Sequence, residues 1–218
     1  MCIRDSMGLA QRIVTARETK AAKLSEVGGV LRTIVITSTG FEVATFIALV
    51  PFLLRHETSL KYALFNSIFY AISAFNNAGF IPEVGGISRY MADPWFSIPI
   101  ATSVFVGALG FPVILVLVQN WRTPERWSLH AKLTIWTSSI LLVAGTVGVL
   151  LSEWDNPATL GGHGFDTKLL SSTFASVMTR SGGFSTLDIG AMNTDTWLIM
   201  DLLMFIGGGS GSTGGGIK

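Results

Sequence analysis

The sequence predicts an all-α integral membrane protein made of repeated units: a membrane helix, a short half-helix, a glycine-containing turn and a second membrane helix. Three observations carry this. First, 49% of the 218 residues are hydrophobic and only 13% are charged, with a mean hydropathy of +0.53, whereas a soluble domain carries about 25% charged residues. Second, three apolar runs, Ile34 to Leu54, Trp95 to Val118 and Leu133 to Leu151, each approach the roughly 20 residues that a helix needs to cross a bilayer core. Third, the chain matches itself when slid by 104 positions, so that Ser67 falls on Ser171 and Gly79 on Gly183.

The elements follow in order. Residues 1–27 are expected to be a cytoplasmic segment, carrying Arg12, Arg17, Lys20 and Lys23. Within it, residues 1–6 (MCIRDS) lead into nothing periodic and are expected to be non-native, with Met7 or an upstream residue nearer the true frame. The first span, Ile34 to Leu54, is interrupted by Glu42. Tyr62 to Phe75, YALFNSIFYAISAF, is apolar but short. At 1.5 Å per residue it cannot cross a core of roughly 30 Å, so it reads as a surface helix or a re-entrant half-helix. The second span, Trp95 to Val118, contains Pro99 and Pro112, and both prolines are expected to kink it.

Residues 120–132 form a loop with Arg122, Arg126 and Lys132. With the cationic N-terminal segment it is placed in the cytoplasm by the positive-inside bias; Arg55, Lys61, Arg89 and Lys168 dilute that signal. The third span, Leu133 to Leu151, is followed by a second short stretch, Lys168 to Met178. The last apolar run, WLIMDLLMFI, contains Asp201 and passes directly into GGGSGSTGGGIK, Gly207 to Lys218. Trp95, Trp121, Trp127, Trp136 and Trp197 fall near span ends, where interfacial anchoring accounts for them.

The self-match aligns SIFYAISAFNNAGF, Ser67 to Phe80, with SSTFASVMTRSGGF, Ser171 to Phe184. The same offset carries the first span onto the third and the second onto TWLIMDLLMFI. Agreement of element order and offset marks an internal repeat, with units at residues 28–119 and 133–218. A half-helix that turns inside the membrane must hide its broken backbone in protein or along a watery cavity. Its C-terminal end carries partial negative charge, which favours a cation. Glycine suits the turn because the required angles or close approach exclude a side chain.

Several function classes drop out. A net charge of +1 leaves no polybasic footprint for nucleic acid. The single cysteine, Cys2, excludes an internal disulfide and a cysteine-based zinc cluster. Glu42 and Asp201 lie inside apolar runs; such carboxylates either serve a function or bond structurally to a neighbouring helix.

The glycine-rich end admits three readings. A phosphate loop needs lysine after its second glycine and a preceding strand, but Ile217 follows Gly216 and an apolar run precedes the loop. A nucleophilic Ser210, as in an intramembrane serine hydrolase of rhomboid type, needs a histidine base. His56 and His163 fall in predicted outer segments and His130 in the inner loop. The third reading is a break in a membrane helix that lines a cavity.

Three segments in order, AISAFNNAGF, TRSGGFSTLD and LMFIGGGSGSTGGGIK, resemble the Trk/Ktr/HKT superfamily of cation transporters, and most of all its KtrB-type bacterial potassium uptake subunits. The resemblance runs from about Arg12 to Lys218. It implies K⁺-channel-like repeats, four per protein around one pore, of which this chain holds the second and third and is therefore an internal fragment. It implies filter strands at Asn76, Asn77, Ala78, Gly79 and Phe80, and at Thr179, Arg180, Ser181, Gly182, Gly183 and Phe184, with K⁺ held by backbone carbonyls at Gly79 and Gly183. Gly182 stands where alanine is commoner in the family's pattern. The Arg180 side chain is expected to point away from the pore, bracing the half-helix or solvated at the outer mouth.

The resemblance further implies an intramembrane gating loop of Gly207, Gly208, Gly209, Ser210, Gly211, Ser212, Thr213, Gly214, Gly215 and Gly216. The implied protein is not an enzyme and binds no cofactor. It transports K⁺, with Na⁺ as a further candidate ion. It sits in a bacterial inner membrane, surrounded by lipid, as a homodimer on cytoplasmic, nucleotide-binding RCK-domain subunits.

Overall fold

The computed structural model describes residues 27–57, 59–83, 85–120 and 122–217. The expected cytoplasmic segment up to residue 26, with its MCIRDS start and Cys2, lies outside the described residues, as do Trp121 and Lys218.

Seven helices cover most of the described chain. Helix α1 (Val27–His56) contains Glu42 and Pro51. Helix α2 (Leu60–Phe75) is the first half-helix. Helix α3 (Pro94–Leu109) opens with Pro94 at its first position, while the Asp93 carboxylate accepts the Trp95 N–H at 2.9 Å; both features suit a helix start. Helix α4 (Phe111–Asn120) follows after a single residue. Helix α5 (Leu129–Ser152) starts at a Ser128 cap, whose hydroxyl accepts the Ala131 N–H at 3.2 Å. Helix α6 (Phe165–Val177) is the second half-helix and ends in a π-turn, Met178–Gly182. Helix α7 (Thr194–Phe205) has 12 residues, too few to cross the core.

Among the described residues, two helices are long and apolar enough to span a membrane, over Leu31–His56 and Leu129–Ser152. They turn Val35, Ile36, Val43 and Ile47, and Leu133, Trp136, Ile140 and Val143, outward. So much exposed apolar surface would be a liability in water; facing lipid tails it is ordinary. The core runs between the repeats. Leu49, Leu53, Tyr70, Phe96, Ile100 and Val104 of the first unit pack with Phe174, Val177 and Phe184 of the second.

The second span departs from expectation. It is broken: α3 and α4 meet at 103°, and the break lies at Gly110, whose φ is +93°. Pro99 passes through α3 without interrupting it. The helical acceptor that its missing N–H would have used is the Trp95 carbonyl, in the first turn. Pro112 is the second residue of α4, where its missing N–H is no loss to that helix. The positive φ of Gly110, open to glycine at no steric cost, thus decides where the span turns.

Polar knots hold the loop ends of the bundle. Arg89 pairs with Glu57 at 3.1 Å and with Glu83, and lies over the Tyr90 ring. Glu153, just past α5, is fully buried. Its carboxylate accepts from Asn156 and Thr159, each at 2.6 Å, from the Asn193 N–H at 2.8 Å, and from Thr196. Burial pushes this carboxyl up, but these four hydrogen bonds outweigh it and hold it below the usual carboxylate range. Nearby, Lys168 donates to the Trp154 carbonyl at 2.6 Å and sits over its ring.

Candidate functional site: two glycine turns and a glycine-rich loop

Both half-helices close with a bond that reaches back five residues, the first through a left-handed Asn77 and the second through a π-turn. After Phe75 the chain tightens, and the Ala78 N–H reaches back five residues to the Ser73 carbonyl at 2.9 Å. After Val177 the Gly183 N–H reaches back five residues to Met178 at 3.3 Å. In the first turn the Ser73 hydroxyl also accepts the Phe80 N–H at 2.9 Å and lies 3.1 Å from the Phe80 carbonyl. Asn77 has a φ of +51°, a conformation that asparagine tolerates. Asn76 donates to the Glu42 carboxylate at 3.0 Å. That intramembrane carboxylate therefore bonds to the first residue of the turn. Asp201 lies on an exposed face of α7.

The two turns converge on their glycines. Gly79 and Gly183 have φ of +68° and +74°. A Cβ on Gly79 would fall 2.7 Å from the Gly183 Cα and 2.9 Å from the Gly182 carbonyl oxygen. A Cβ on Gly183 would fall 3.0 Å from the Gly79 Cα. Backbone angle and space thus both select glycine at each position. The aromatic neighbours differ: Phe184 is buried, 6.2 Å from the Tyr70 ring, whereas Phe80 is exposed.

Arg180 does not follow the expectation of a solvated or half-helix-bracing side chain. It is buried and crosses to the glycine-rich loop, where its Nη2 donates to the Gly207 carbonyl at 2.9 Å and to Ser138 of α5 at 3.4 Å. A buried guanidinium needs acceptors for its donors, and here a loop carbonyl is one of them.

The loop has a neck and a tip. At the neck the Gly207 N–H bonds the Ile217 carbonyl (3.2 Å), the Gly208 N–H bonds Gly215 (3.2 Å), and the Ile217 N–H bonds Phe205 (3.1 Å). The second turn grips this neck, through Arg180 on Gly207 and through the Ser181 hydroxyl, which accepts the Gly215 N–H at 3.0 Å. The tip reaches the other repeat. The Gly209 N–H bonds Ala108 (2.7 Å), the Thr213 N–H bonds Gly107 (3.4 Å), and the Phe111 N–H bonds the Gly211 carbonyl (3.2 Å). The Thr213 hydroxyl donates to the Phe75 carbonyl and lies against the Asn77 amide, both at 3.1 Å.

The predicted residues are therefore brought together: both turns and the loop form one contact network. Three contributors went unnamed in the sequence: Ser73, Gly107 and the break at Gly110. Ser73 has no repeat signature, because the same offset places Val177 opposite it.

The remaining readings of the loop find no chemistry. A helix, not a strand, precedes it. Among the described residues no histidine bonds Ser210, and the His56 ring nitrogen lies 3.0 Å from the Phe52 carbonyl. Among the described residues no three His, Cys, Asp or Glu side chains gather as metal ligands; a cation here would meet backbone oxygens instead.

An apolar all-α body in which two half-helices end in glycine turns around irregular backbone is the architecture of a membrane cation transporter. The chain belongs to the TrkH family, described as cation transport protein, which matches residues 2–218. It is 34% identical to Ktr system potassium uptake protein B of Bacillus subtilis over 218 residues, all of this chain and 48% of that protein. It is 37% identical to the protein of the same name from Vibrio alginolyticus over 163 residues, 74% of this chain and 36% of that protein. It is 28% identical to the potassium/sodium uptake protein NtpJ of Enterococcus hirae, over 99% of this chain and 47% of that protein. The chain thus spans about half the length of the curated relatives it matches. The family is one of membrane transport proteins rather than enzymes.

Proposed function

We propose that the complete protein conducts K⁺, with Na⁺ as a second candidate ion, through a filter of backbone carbonyls gated by the glycine-rich loop. Units 28–119 and 133–218 each supply one strand of that filter. The observation that carries this is the convergence of Gly79 and Gly183, each past the C-terminal end of a half-helix. Helix C-termini favour cations, and closely set carbonyls replace the water shell of K⁺. The relatives named for potassium uptake, and NtpJ for potassium and sodium, support the choice of ion.

The loop lies across the same place, bonded to both turns. Irregular backbone at membrane depth is tolerated where it lines a cavity, and the cavity under a filter is the ion path. In this reading the docked loop obstructs the path, and cytoplasmic RCK-domain subunits on a homodimer displace it. The test is Rb⁺ uptake by the complete transporter in a bacterium lacking its own K⁺ uptake. Gly79→Ser or Gly183→Ser should lower uptake or the preference for K⁺ over Na⁺. Unchanged affinity and preference in both variants would remove these glycines from the filter.

A further inference from the structure

The tip of the loop docks on a broken helix, and the break leaves groups that need partners. In a continuous helix the Gly107 carbonyl would take the N–H of Phe111, and the Ala108 carbonyl the N–H of residue 112. The turn at Gly110 removes the first bond. The second can never form, because residue 112 is proline and has no N–H. The loop supplies what is missing: the Thr213 N–H to Gly107, the Gly209 N–H to Ala108, and the Gly211 carbonyl to the Phe111 N–H. The fit is close, since a Cβ on Gly209 would fall 2.2 Å from the Leu109 carbonyl oxygen.

We infer that Pro112 is a positioning residue of the gate: by leaving the Ala108 carbonyl without a helical partner, it reserves that oxygen for Gly209 and holds the loop docked. The inference rests on the gating role proposed above. Buried carbonyls demand donors. Undocking the loop orphans two carbonyls and one N–H of the second span. Straightening at Gly110 would re-pair Gly107 with Phe111, but not Ala108. Pro112 therefore biases the balance towards the docked state, and any residue with an N–H at 112 lets the straightened span compete on equal terms.

The test is a cycle in the complete transporter, read as Rb⁺ uptake without the activating cytoplasmic partner and normalised to protein in the membrane. Pro112→Ala should raise this basal uptake about fivefold, the factor matching one hydrogen bond of about 1 kcal/mol. Deletion of residues 209–215 should raise it too, and Pro112→Ala should add nothing in the deleted background. A structural defect at 112 would lower uptake, and would do so in both backgrounds. If Pro112→Ala does not reach the membrane, Gly209→Ala decides, since its Cβ must push the tip off Leu109; it too should raise basal uptake. A deletion that raises uptake while these substitutions leave it unchanged overturns the inference and spares the gate. A rise with Pro112→Ala in the deleted background also overturns it. A deletion without effect overturns the gate itself.

Discussion

Gly79 and Gly183, one from each repeat, meet backbone to backbone, each in the left-handed region and each leaving no room for a Cβ on the other. Two independent constraints therefore act on one pair. A substitution at either position disturbs its own turn and displaces its partner's.

Gly79→Ala and Gly183→Ala should each destabilise the folded protein by about 1–2 kcal/mol from the left-handed φ alone, with crowding added. The double substitution should depart from the sum of the singles by about 0.5–3 kcal/mol, because residues in contact couple. Thermal unfolding in detergent checks this. Strictly additive shifts would mean that the two turns do not touch.

Arg180→Met should loosen the neck of the glycine-rich loop and raise basal Rb⁺ uptake about tenfold. A hydrogen bond from a charged donor contributes about 1.5–3 kcal/mol, and the Gly207 carbonyl would lose one. Arg180→Lys should sit between, since lysine keeps the charge but not the planar guanidinium whose Nη2 is placed on Gly207. Uptake at the wild-type level in Arg180→Met would detach this residue from the loop.

How far all this was legible in the sequence depends on the kind of signal. The spans α1 and α5 show in hydropathy, and both half-helices show as apolar stretches too short to cross. The turns were visible because a repeat placed Gly79 opposite Gly183. The break at Gly110 was hidden in a continuous apolar run, and proline was the louder local sign than glycine. A break is fixed by which partner takes the freed carbonyls, and that partner lies about a hundred residues further on, in the loop. The inward path of Arg180 was equally hidden, because the sequence around a glycine turn does not say where a buried cation finds its acceptor.

Glu153 gives the loop end of the second unit a dependence on acid. Its folded-state carboxyl titrates below the ordinary range, so its contribution is complete above the unfolded value of about 4.3. That contribution fades as pH falls through the lower folded value. Glu153→Gln should lower stability by about 2 kcal/mol near neutral pH and flatten the loss of melting temperature below about pH 4. An unaltered acid profile in this variant would assign the acid sensitivity to other carboxylates.

Thr213→Val keeps the shape of the loop tip but removes a hydroxyl shared by Phe75 and Asn77. Basal uptake should rise a few-fold, as expected for one or two neutral hydrogen bonds. The salt dependence of uptake should stay fixed, since no charge is altered. A fall in uptake at normal expression would instead place the Thr213 hydroxyl in the conducting path.

The π-turn after α6 has a consequence for how the two units close. Among the described residues the π-turn belongs to the second unit alone, although the same offset of 104 holds on either side of it. Opposite it, the first unit ends with Ser73 bracing Phe80, an arrangement that Val177 cannot reproduce. The two units therefore close differently at matched positions, and Phe184 turns inward while Phe80 stays outside. Turns held by different groups can be altered one at a time: removing the Ser73 hydroxyl loosens the first turn, and the second has no such bond to lose.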